Sequence, residues 1–106
     1  MLDIKVDNSQ IIDIRLPSEW YESGVIAGCK LITYEMISGK INPLFIDEVS
    51  KYFNKDDEIV LICHTGVRSR AAVALLKANG FKHVSDIGGG IYNYERLGGK
   101  LVKYEG

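Results

Sequence analysis

The run Ile59-Val60-Leu61-Ile62-Cys63 leaves no polar position on either side of an extended chain. A strand of this kind is buried on both faces, as in a parallel sheet covered by helices. Shorter apolar stretches repeat the pattern at Ile11 to Ile14, Lys30 to Thr33 and Val84 to Ile87, with a weaker candidate near Asp3 to Val6. Helix signals fall between them. Asn42-Pro43 reads as an N-cap followed by proline at the first helical position. Phe45, Val49, Tyr52 and Phe53 then recur at i, i+4, i+7 and i+8, which predicts one buried face. Ser69 to Asn79 is rich in alanine and leucine and stops at Gly80. A last helix is expected from Gly90 to Leu97, before Gly98-Gly99. This alternation predicts an α/β fold: a five-stranded, mostly parallel sheet flanked by helices on both faces, with right-handed crossovers. No internal repeat or linker interrupts residues 1–106, which are expected to form one domain.

Charge and cysteine usage narrow the function. A formal net charge of -1 gives no electrostatic case for nucleic acid or an anionic membrane as partner. No apolar run reaches the length of a membrane span. The start, MLDIKVDNSQ, lacks the apolar core of an export signal, so a cytoplasmic protein is expected. Two cysteines, Cys29 and Cys63, allow at most one disulfide, and in a reducing cytosol it is not expected as a staple. His64 and His83 lie far apart and no CxxC or HExxH occurs, so no zinc site is expected.

The segment beyond the apolar run is unlike the setting of a structural cysteine. In Cys63-His64-Thr65-Gly66-Val67-Arg68-Ser69-Arg70 the thiol leads from the carboxyl end of a central strand into a helix start. Ligands bind at that end in open α/β sheets. First-turn amides have no intrahelical partner, and the helix dipole adds partial positive charge. Gly66 lets the backbone curl so that several amides converge, a nest that favours an anion. The nearest anion is the Cys63 thiolate itself, a nucleophile near neutral pH. Arg68 adds a forked cationic donor for an oxyanion. Cysteine phosphatases resemble this arrangement but place five residues between Cys and Arg, whereas Cys63 and Arg68 have four between them. The tighter loop suits one extra sulfur atom better than a phosphate.

On these residues the chain resembles the rhodanese family over nearly its whole length. The loop CHTGVRS is similar to the family's CxxGxRS. Ile12-Asp13-Ile14-Arg15, Glu19-Trp20 and Gly24-Val25-Ile26-Ala27-Gly28 resemble its DxR…E(Y/F)…GHIPGA. Gly88-Gly89-Gly90-Ile91-Tyr92-Asn93-Tyr94 resembles its GGxxxW segment. Val25, Ala27, Cys29 and Tyr94 depart from the usual His, Pro, Ala and Trp, away from the loop. The resemblance implies a rhodanese-like domain and a two-step sulfur transfer. Cys63 would take a sulfane sulfur from a small donor anion such as thiosulfate, releasing sulfite. It would then pass the sulfur to cyanide, a thiol or a protein acceptor. His64, Thr65, Gly66, Val67, Arg68 and Ser69 would hold the transferred group, with no cofactor. An arsenate reductase or phosphatase using the same cysteine, and a non-catalytic binding module, are the rival classes.

Blander roles are expected elsewhere. Cys29 reads as a packed small residue, with a resolving thiol as the alternative. His64 can be simply solvated, Ser69 can cap the helix and Thr65 can shape the turn. Asp13 and Arg15 read as structural charges near the end of the sheet. Gly88 to Gly90 lacks the Lys-Ser/Thr of a phosphate loop. Tyr92, Tyr94 and Leu97 are expected in the core.

Overall fold

A computed structural model describes residues 7–64 and 66–106. Four strands, β1 (Ile11–Asp13), β2 (Lys30–Leu31), β3 (Glu58–Ile62) and β4 (His83–Asp86), form one sheet in the order β2-β1-β3-β4. Every pairing in it is parallel. The fifth strand expected near Asp3 to Val6 lies outside the described residues. Four helices accompany the sheet: α1 (Pro17–Ser23), α2 (Phe45–Tyr52), α3 (Val67–Ala78) and α4 (Gly90–Arg96).

The unbroken apolar character of β3 is explained by its two covered faces. Ile59, Leu61 and Cys63 alternate onto one face, where they meet Phe45 and Val49 of α2 and Ala72 and Leu76 of α3. Val60 and Ile62 alternate onto the other, against Ile26 and against Ile91 and Tyr94 of α4. β1 divides in the same way, Ile12 and Ile14 facing the first cluster and Ile11 the second. Helices therefore flank both faces, as expected.

Several boundaries and residues differ from expectation. Asn42-Pro43 does not start α2: the Asn42 Oδ1 accepts the Leu44 N–H at 3.0 Å and its carbonyl accepts the Phe45 N–H at 3.0 Å. This turn precedes the helix. Tyr52, predicted on the buried face, is exposed, with the Lys30 ammonium 5.1 Å from its ring centroid. Tyr92 is also exposed, whereas Tyr94 is buried and Leu97 half-buried. α3 begins at Val67, two residues before the predicted start.

Strand order positions the site. The chain leaves β1 to build β2 on one side and then crosses to β3 on the other. The carboxyl ends of β1 and β3 consequently flank the point where the winding reverses, the crevice in which such sheets bind ligands.

Candidate active site

Cys63 is the first residue after β3 and is 1% exposed. By strand alternation its side chain falls on the α3 side of the sheet, beneath the start of that helix. Gly66, at the N-cap of α3, adopts φ +100°, a left-handed conformation that glycine reaches without strain. The turn aims the Gly66 N–H at the Cys63 Sγ, 3.0 Å away. That contact begins the nest expected from the sequence. Thr65 lies outside the described residues.

Ser69 does not cap α3. With Ala72 and Leu76 it forms the buried stripe of that helix, fully shielded from solvent, which carries its hydroxyl over the sulfur. The Cys63 thiol donates to the Ser69 Oγ at 3.6 Å, and the hydroxyl donates to the Asp86 Oδ2 at 2.8 Å. Asp86 comes from the end of β4, 17 residues further along the chain.

Arg68 is held from a distant element. Its Nη1 and Nη2 donate to Oε1 and Oε2 of Glu19 on α1, at 2.7 and 2.9 Å. This two-pronged bond holds the Glu19 carboxyl below its ordinary value of 4.5, against the opposing effect of burial. Glu19 in turn raises the Arg68 guanidinium further, as does the nearby Cys63 sulfur more weakly. Three of the five N–H donors of Arg68 remain outside the pair. His64 is exposed, and with Arg15, Glu19, Glu22 and Ser23 it lines a cleft of roughly 160 Å³ at this end of the sheet. Val67 is exposed. A larger hollow of roughly 350 Å³ opens at the opposite, amino end of the strands, between Lys30, Tyr52 and Glu58.

The loop is supported from below by α4. Ile91 and Tyr92 donate their N–H groups to the carbonyls of Cys63 and His64, at 2.7 and 3.2 Å. A Cβ on Gly90 would collide with both carbonyl oxygens, which accounts for glycine there. The Gly88–Gly90 segment thus seats the cysteine loop.

Asp13 and Arg15 are structural, as expected. Both are buried, and Arg15 reaches the Asp13 carboxylate through Nε at 3.0 Å and Nη2 at 2.8 Å. It also donates to the Ser23 Oγ and the Gly24 carbonyl, tying the end of β1 to the end of α1. Cys29 is half-buried beside the second cluster, and its thiol is pushed up to about 11, chiefly by burial and then by the Asp13 charge. It packs as a small side chain against that cluster.

Residues 2–97 match the Rhodanese-like domain family. The chain belongs to that family. Thiosulfate sulfurtransferase 16, chloroplastic, from Arabidopsis thaliana is 32% identical over 99 residues, covering 91% of this chain and 82% of that protein. Senescence-associated protein DIN1 from Raphanus sativus is 37% identical over 81 residues, but the chain spans only 44% of its length. Among solved structures, the Rhodanese_3 like domain of an Anabaena protein superposes with a TM-score of 0.73 at 26% identity, covering 88% of this chain and 97% of that one. A rhodanese-like domain protein from Staphylococcus aureus gives 0.70 at 27%, covering 96% and 87%. Within the rhodanese-like domain of this chain, Glu19 and Asp86 have contacts that the sequence did not reveal. Glu19 stood inside a motif without a role, and Asp86 had no signal at all.

Proposed function

We propose that this chain is a sulfurtransferase that moves sulfane sulfur from an anionic donor such as thiosulfate to cyanide or a thiol, through a persulfide on Cys63. The Cys63 thiolate attacks the outer sulfur of thiosulfate. A new Sγ–S bond forms, the donor's S–S bond breaks, and sulfite leaves with the electron pair. The acceptor then attacks the outer sulfur of the persulfide and returns the pair to Cys63. The observation that carries this reading is the Gly66 N–H placed on the Cys63 Sγ at 3.0 Å. It puts a backbone donor where negative charge resides before the first displacement and again after the second.

The reading is tested by a thiosulfate:cyanide assay combined with intact-protein mass spectrometry. Cys63→Ala is expected to abolish thiocyanate formation, and Cys29→Ser to keep most of it. Incubation with thiosulfate should add roughly one sulfur, about 32 Da, in a form that dithiothreitol removes and that maps to Cys63. Substantial turnover by the Cys63→Ala protein would overturn the assignment. Hydrolysis of aryl phosphates or reduction of arsenate, without transfer of sulfur, would favour the rival enzyme classes.

A further inference from the structure

We infer that Asp86 is a positioning residue that governs the direction of the Ser69 hydroxyl and, through it, the charge state of the Cys63 sulfur. The inference rests on Cys63 as the nucleophile of the proposed reaction, but its test needs no sulfur donor.

A serine hydroxyl has one hydrogen and two lone pairs. The Ser69 Oγ lies 2.8 Å from the Asp86 Oδ2, 3.1 Å from the Gly66 carbonyl oxygen and 3.6 Å from the Cys63 Sγ. An ionised carboxylate at the shortest distance is the strongest acceptor of the three, so the hydrogen turns to Asp86. A lone pair is then left facing the sulfur. It accepts from a neutral Cys63 thiol and offers nothing to a thiolate.

Forming the thiolate requires a rearrangement. The thiol proton leaves to water, the Oγ–H···Oδ2 bond to Asp86 breaks, and the Ser69 hydrogen turns to the sulfur beside the Gly66 N–H. Asp86 and the thiolate therefore compete for one donor. A proton relay from Cys63 through Ser69 to Asp86 has the opposite sense. It fails on magnitude, because an ordinary carboxylate is a weaker base than an ordinary thiolate by more than about four powers of ten. The other charges facing Cys63 are accounted for separately. Arg68 on α3 favours the anion, Glu19 of α1 offsets Arg68, Glu35 acts on Arg68, and His64 is exposed in the loop. Among the described residues, Asp86 is the charged side chain that bonds the Ser69 Oγ.

The test is the pH dependence of Cys63 alkylation by iodoacetamide, read by peptide mass mapping. Asp86→Asn should move the midpoint down by roughly one pH unit, a roughly tenfold faster rate on the acid limb. The same substitution in a Ser69→Ala background should move it little, since the hydroxyl that transmits the effect is gone. An unchanged or higher midpoint for Asp86→Asn would overturn the inference, the higher value in favour of a relay. An equal shift with and without Ser69 would also overturn it, leaving Asp86 as a charge and nothing more. Cys29 labelling in the same digests reports loss of the fold, and Asp86→Ala provides a second variant read by the same criteria. A correct alkylation shift in a protein that takes no sulfur from thiosulfate would refute the sulfurtransferase and spare the role of Asp86. Sulfur transfer without the shift would do the reverse.

Discussion

In the proposed reaction Arg68 meets two demands on one guanidinium. Glu19 takes one N–H from each terminal nitrogen and pins the group in place. In the proposed reaction an incoming sulfonate would have only the donors that remain, without the full charge of a free arginine behind them. We therefore expect Arg68→Ala to weaken thiosulfate use by roughly ten- to a hundredfold in kcat/KM, the scale of one charge-assisted contact of about 1.5–3 kcal/mol. Lysine should rescue only part of this, because an ammonium keeps the charge but cannot make the forked bond to Glu19. An uncharged sulfane donor has no sulfonate to grip and should lose less on the same mutant. Equal losses for charged and uncharged donors, with the circular dichroism spectrum intact, would assign Arg68 to shaping the loop. Arg68 itself was legible from the loop motif. Its partner was not, because 49 residues separate Glu19 from Arg68 and no spacing rule spans a tertiary contact of that length.

At the scale of elements, α4 acts as a seat for the cysteine loop, and Gly90 is where the two come closest. Its φ of +62° is strained for any residue with a Cβ, and the added atom would meet the Cys63 and His64 carbonyls. Gly39 offers a control: its φ is +86°, but nothing lies within 4 Å of where its Cβ would stand. Gly39→Ala should cost the backbone strain alone, about 1–2 kcal/mol, and keep activity. Gly90→Ala should cost about 2–5 kcal/mol, with overpacking added, and should lose sulfur transfer even where the protein remains folded. Urea midpoints and thiosulfate:cyanide turnover on the two variants measure both effects; matching results would remove the seating role. The glycine triplet was visible in the sequence, but its purpose was not, since close approach belongs to the assembled structure. Helix α1 was missed for a different reason. It has seven residues with only Trp20 buried among them, too short a stretch for a periodic apolar face to register. β3 stood out because both of its faces are covered and its apolar run is unbroken.

For the molecule as a whole, one thin sheet divides two apolar clusters, and β1 and β3 supply side chains to both. Losing the packing on either face removes support from strands that the other face needs. The two sides should therefore unfold together. The cysteines report on opposite sides of this arrangement: Cys63 belongs to the α3 cluster, and Cys29 packs against the α4 cluster. With its thiol pushed up to about 11, native Cys29 is nearly all protonated at pH 8, so alkylation there proceeds mainly through opening of the fold. A Cys63→Ser protein isolates this signal. Brief iodoacetamide pulses across a urea series should label Cys29 with the same midpoint as the loss of helical circular dichroism and the change in Trp20 fluorescence. An earlier labelling midpoint would mean that the α4 face opens while the α3 face holds. The loop would then lose its seat before the sheet beneath Cys63 came apart, and unfolding would begin at the cysteine-loop end of the molecule.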